Sequence, residues 1–190
     1  MANIDTPVGM WPSLGTGGST TPRVRKYQVA AGVTTNIGQG SPVILHNNGV
    51  HPLVLAGSTA IIGVAQNHWV SGTSESYDIF VFDDPKQIFT IQAANATFSA
   101  TAIGNNYSFV AASLAMNTTT LRSKGELDGD TGNHFFGSTS TAGNRPLRLV
   151  AISTQIEKNE AGSSWVGCEV QFNSPSHFWA KETAIGNVLV

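Results

Sequence analysis

The chain is poor in charge. Lys, Arg, Asp and Glu make up 12% of its 190 residues, about half the usual globular share of roughly 25%. The formal net charge is −2 and the pI about 6.2, so no strong field draws the protein to nucleic acid or to an anionic membrane. Its small basic cluster, Arg23, Arg25 and Lys26, reads as a solvated strand edge. Cysteine is nearly absent: Cys168 stands alone, which excludes an internal disulfide. Apolar runs are short, and none approaches the roughly 18 residues of a membrane span. The opening MANIDTPVGMW lacks the basic and apolar regions of a secretory signal, so a soluble protein made in the cytoplasm is expected, with the sequons at Asn95 and Asn117 left as chance matches.

Catalytic signatures are missing too. There is no Gly-x-Ser-x-Gly elbow and no HExxH, and no pair among His46, His51, His68, His134 and His177 has the helical spacing of a metal motif. His46 and His51 flank a turn and read as surface histidines. Gly15 to Ser19 lacks the Gly-Lys-Ser/Thr of a phosphate loop. Asp83-Asp84 sits in a Pro-containing turn, where turn chemistry explains it. Glu126, Asp128 and Asp130 resemble part of a calcium loop, but Gly132 stands where a third ligand belongs, so a solvated polar loop is the expectation. The reading is of a protein that is not an enzyme and holds no cofactor or metal.

What the chain does have is Thr, Ser, Asn and 20 Gly, the material of strands and turns. Val24 to Val29 alternates as a strand. Pro42–His46, Asn47-Asn48-Gly49 and Val50–Leu55 read as a hairpin, since Asn-Gly supplies the positive φ of a tight turn. Thr59 to Ala65 is apolar on both faces and fits a central strand. Tyr77–Phe82 and Gln87–Gln92, joined by Asp83-Asp84-Pro85-Lys86, read as a second hairpin. Ala93 to Gly104 is the candidate helix, on the i, i+4 spacing of Ala94, Phe98 and Ala102. Leu147 to Ser153 is a strand. In Ser164 to Phe172 the residues Val166, Cys168, Val170 and Phe172 share one face while Glu169 and Gln171 share the other, which places Cys168 in the core as a small hydrophobe. Together these predict an all-β, barrel- or sandwich-like body over residues 23–172.

Two segments fall outside that pattern. Residues 1–22 carry Pro7, Pro12, Pro22 and a Gly/Ser/Thr run, and read as an extended arm whose apolar anchors Ile4, Val8, Met10, Trp11 and Leu14 order against something. Residues 113–146 form a long polar excursion holding Leu121, Leu127, Phe135 and Phe136, side chains that a free loop does not display without a use. These nine are the candidate partner-binding residues. The tail 173–190 ends apolar and is expected to dock on the body or a neighbour.

The whole chain resembles the cement, or head decoration, proteins of tailed bacteriophages. The resemblance is carried by Met1-Ala-Asn-Ile-Asp-Thr-Pro-Val-Gly9, Arg25-Lys-Tyr-Gln-Val-Ala-Ala-Gly32, Ile37-Gly-Gln-Gly-Ser-Pro-Val43, Ile62-Gly-Val-Ala65, Ala102-Ile-Gly-Asn-Asn-Tyr-Ser-Phe-Val110 and Thr118-Thr-Thr-Leu-Arg-Ser-Lys-Gly-Glu-Leu-Asp128, in order over most of residues 1–172. It implies a β-barrel-like body on the outside of a capsid, bound to the major capsid protein, without catalytic residues or cofactor, and commonly a homotrimer. The competing expectation is a carbohydrate-binding or host-attachment β module of the virion, with Trp69, Trp165 or Trp179 as stacking platforms; Trp69 and Trp165 read better as core or strand residues.

Overall fold

A computed structural model describes residues 3–13, 21–29, 32–46, 49–53, 61–72, 77–94, 97–110, 114–129, 145–153, 159, 161–173 and 177. These residues are nearly all β, as the composition predicts. Strands β2 (Val24–Val29), β4 (Gly49–Pro52), β3 (Pro42–His46), β5 (Ile61–Ala65) and β6 (Tyr77–Phe82) pair in that order into a closed barrel. A six-stranded sheet follows: β1 (Trp11–Pro12), β7 (Ile88–Ala94), β11 (Gly167–Phe172), β10 (Leu147–Ile152), β8 (Asn106–Phe109) and β9 (Leu127–Asp128). Because β9 also pairs with β7 through Ala93↔Leu127 and Ala94↔Asp128, this sheet closes on itself with β1 flanking it.

Strand alternation builds two cores. Val29, Val43, Val50, Ile62, Ile79 and Val81 fill the first barrel with Ile37 and Trp69. Ile44, Ile61, Val64 and Phe82, from the same barrel, belong instead to the larger core of the second sheet, with Phe89, Ile91, Phe109, Leu147, Leu149, Cys168 and Phe172. All of β5 is therefore buried, because it has a core on each side. At roughly 1.5–3 kcal/mol per large apolar side chain, these two cores are the main stabilising term. β3 and β4 form the expected hairpin, with His46 opposite Gly49, so its two-residue connection is Asn47-Asn48; those two residues lie outside the described ones. His51 is opposite Ile44, so the two hairpin histidines do not face each other directly.

The second expected hairpin does not form. β6 pairs with β2 and β5, while β7 pairs with β1, β9 and β11, so the turn between them is the crossing from one barrel to the other. Asp83 explains why the chain turns away. Its carboxylate is buried and takes Arg23 Nε at 2.8 Å, Arg25 Nε at 3.3 Å and Tyr27 Oη at 2.8 Å. A buried carboxylate needs such partners, and β2 with the residue just before it supplies all three. Asp84 does the turn work, accepting the Lys86 N–H at 2.9 Å. Lys26 pairs with Asp78 at 3.2 Å. The basic cluster is solvent-exposed, as expected, but two of its members, Arg23 and Arg25, also clamp the buried Asp83.

The expected helix is also replaced. β7 runs on to Ala94, and among the described residues that follow, Ala100–Ala102 forms a 3-10 turn. Ala93 and Phe98 are buried in the second core, and Phe98 meets Tyr107 edge-on with ring centroids 4.8 Å apart. Strand pairing and this packing override a weak local spacing.

Candidate partner-binding face

The N-terminal segment is laid along the body instead of standing free. Met10 is fully buried in the second core, and its N–H donates to the Gly40 carbonyl at 2.9 Å. Trp11 and Pro12 pair with Thr90 and Phe89 at the edge of β7, and the Ser13 N–H donates to the Ile88 carbonyl at 2.8 Å. Upstream, the side-chain amide of Gln92 holds the arm as a strand would. Its oxygen accepts the Thr6 N–H at 3.0 Å, and its nitrogen donates to the Ile4 carbonyl at 2.6 Å and the Trp165 carbonyl at 3.2 Å. Asn3 Nδ2 adds a bond to the Ser164 carbonyl at 3.0 Å. The arm's composition gave no sign of these partners, of which Gln92 and Ser164 bond residues more than eighty positions away.

Glycines make the close approach possible. A Cβ on Gly9, whose φ is +76°, would lie 2.6 Å from Ser123 Cβ and 2.7 Å from the Gly40 oxygen. A Cβ on Gly40, at φ +83°, would lie 2.9 Å from the Val8 oxygen. No side chain fits at either position, and both backbone conformations favour glycine. Segments 8–10, 38–40 and 121–125 therefore cross at backbone contact. Gln39 bonds across it, donating to the Leu121 carbonyl at 3.0 Å and accepting the Ser123 N–H at 2.8 Å.

The segment after this crossing was expected to be part of a long loop. Its described part, 114–129, is ordered and packed. Met116 is buried, Leu114 packs against the second core, and Leu127 is fully buried on β9. Asn117 organises a tight turn: its Oδ1 accepts the N–H groups of Thr119 and Thr120 at 2.9 and 3.1 Å, and its carbonyl accepts the Leu121 N–H at 2.7 Å. Leu121 takes a φ of +59°, an uncommon conformation for a branched side chain. Arg122 returns over Trp11, its guanidinium carbon 5.7 Å from the ring centroid, a cation–π distance.

The nine candidate residues therefore separate. Met10 and Leu127 are core residues, which corrects their reading as partner contacts: each is fully buried by the chain's own packing. Trp11 and Leu121 are half-buried, Trp11 tied down by its Nε1 bond to the Val8 carbonyl at 3.1 Å. Ile4 and Val8 are exposed, at 74% and 38%. Leu14, Phe135 and Phe136 lie outside the described residues. Other exposed apolar side chains are Val24, Val70, Tyr77, Phe80 and Ile103.

Between the arm and the Asn117 turn lies a groove of about 640 Å³, lined by Thr6, Pro7, Val8, Asn117, Thr120, Arg122 and Lys124. Sequence reading missed it because its two walls are more than a hundred residues apart. The short basic pair Arg122 and Lys124 was the one local signal.

Of the carboxylates weighed as cation ligands, Asp128 is buried, Glu126 is half-buried and Asp130 lies outside the described residues. Burial, then the nearby Asp5 charge, pushes the Glu126 carboxyl above its ordinary range. Among the described residues no three His, Cys, Asp or Glu side chains stand together as a metal site. Cys168 is a core residue, its thiol pushed up to about 12 by burial, so it carries little thiolate. Of the aromatic platforms, Trp69 is buried at 3%, Trp165 is half-buried in a turn ahead of β11 with φ +55°, and Trp179 lies outside the described residues. No family model, no curated protein and no solved structure matches the chain.

Proposed function

We propose that the protein is a structural component of a tailed-phage virion that binds the outer surface of the capsid and cements neighbouring major capsid proteins, as a homotrimer. The observation that carries the reading is the arm. Ile4 and Val8 stand exposed on a segment whose backbone is clamped by Gln92 and anchored by Met10. An apolar anchor held in place before binding spares the partner most of the ordering cost. Several such contacts on one oligomer multiply through effective concentration, which suits a protein that must hold a shell against the pressure of packaged DNA. The low charge of the chain agrees with an interface whose fit is set by shape and apolar contact.

The test is co-sedimentation of the purified protein with expanded capsids that lack it, quantified against the major capsid protein. Saturable binding at a fixed ratio supports the cement role, and the ratio gives the oligomer. Ile4→Asp and Val8→Asp should lower retention while leaving the melting curve unchanged. No binding by folded protein would overturn the reading and favour the carbohydrate-binding one.

A further inference from the structure

We infer that the groove between residues 6–8 and 117–124 seats an extended acidic segment of the protein's partner. The inference names how the capsid contact of the proposed function is made, and it rests on that reading for the identity of the partner alone. The groove lies in the size class of ligand clefts, roughly 300–1,000 Å³, at about 640 Å³.

Its polar lining is one-sided. Arg122 and Lys124 are both exposed, and neither is paired with a carboxylate among the described residues. Asn117 has spent its side-chain oxygen on the Thr119 and Thr120 N–H groups, so its amide offers only a donor. No carboxylate lines the groove. Asp5 and Glu126, which flank the lining in sequence, are close enough to each other to repel. Arg122 is already held over the Trp11 ring, so less side-chain freedom is lost when it receives an anion.

The opposite wall is apolar, made by Pro7 and Val8. An extended peptide sends alternate side chains to opposite sides. A segment that alternates acidic and aliphatic residues would therefore place carboxylates on the Arg122–Lys124 wall and aliphatic side chains on the Pro7–Val8 wall. A bare anion satisfies only the first wall.

The experiment is a two-dimensional NMR titration of the full chain with an acetylated hexapeptide alternating Glu and Val. Controls are the matching Lys–Val peptide and inorganic phosphate. Shifts confined to the amides of Thr6, Val8, Asn117, Thr120, Arg122 and Lys124, weakened by salt and absent with the Lys–Val peptide, are the expected result. In Lys124→Ser and in the double variant Arg122→Ser/Lys124→Ser the affinity should fall, about tenfold in the double variant, since two exposed pairs contribute up to roughly 1 kcal/mol each. The single variant keeps Arg122 on Trp11, so a fold defect in the double variant does not decide the matter. No shift at millimolar peptide, equal shifts with the Lys–Val peptide, or equal shifts with phosphate would overturn the inference. On capsids, the double variant should lose retention and salt sensitivity together. If wild-type protein fails to bind capsids, the cement reading falls while the titration still judges the groove.

Discussion

Replacing Met10 by Ala tests whether the N-terminal segment is part of the folded body. Met10 is fully buried in the larger core, and its backbone bond to the Gly40 carbonyl survives the substitution. The loss is therefore one of packing. Truncating a fully buried Met to Ala typically costs about 2–5 kcal/mol, the transfer of the lost atoms plus the cavity left behind. The expected value is near 3 kcal/mol, a large part of a typical stability of roughly 5–15 kcal/mol. Urea denaturation followed by far-UV circular dichroism reads it as a lower midpoint at unchanged slope. Ile4→Ala is the internal control, since Ile4 is 74% exposed; its change should stay within about 0.5 kcal/mol. A loss under about 1 kcal/mol for Met10→Ala would refute the reasoning. It would mean that the segment leaves the body in solution and acts as the free arm its composition suggests. Truncation follows the same logic: removing residues 1–13 should unfold the protein, and removing 1–5 should not.

Gly63→Ala should destabilise by about 3 kcal/mol or more, measured as a fall in melting temperature, because Gly63 adopts φ +152° and a Cβ there would overlap the Phe82 carbonyl oxygen of the neighbouring strand. Glu169→Leu should stabilise by roughly 1–3 kcal/mol, since both Glu169 carboxylate oxygens are buried without a hydrogen-bond partner among the described residues; the melting temperature should rise by roughly 2–4 °C per kcal/mol, and a fall would show that the charge is matched. His177 gives a pH signature. Its imidazole is held down to about 4, first by burial and then by the Arg23 charge, with Asp83 and Asp84 opposing. The folded state therefore keeps it neutral while the unfolded chain takes up a proton. Stability is complete above about pH 6.5, falls as pH drops toward 4, and loses on the order of 3 kcal/mol from this group. Urea midpoints from pH 7 to 4 should show that slope, and His177→Gln should flatten it.

Much of the fold was readable without coordinates, because strand formation is a local matter. Period-two alternation marked β2 and β11 and placed Cys168 inside, while turn residues helped to delimit β3, β4 and β6. The two-faced apolarity of β5 identified a strand with cover on both sides. What alternation does not carry is which strand pairs with which. Tyr77–Phe82 and Ile88–Ala94 are separated by a turn that suits a hairpin, yet Arg23, Arg25 and Tyr27 capture Asp83 from fifty-six or more residues away and send the two strands into different barrels. The arm followed the same rule. Its prolines and glycines announce a segment with little structure of its own, and composition alone cannot tell a free tail from one that is held. Gln92, Gly40 and the core around Met10 decided that. Ile4, Val8 and Met10 were legible alike as apolar residues of the arm; that Ile4 and Val8 are exposed while Met10 is buried was not, because packing decides it. The groove was not, because Pro7, Val8, Arg122 and Lys124 become neighbours only where backbones cross at Gly9 and Gly40. The sequence by itself thus determined the β character, most strand positions and the buried cysteine, all set by interactions within a few residues. Tertiary structure alone decided the strand partners, the docking of the arm and the composition of the groove, since each depends on contacts between segments that nothing local brings together.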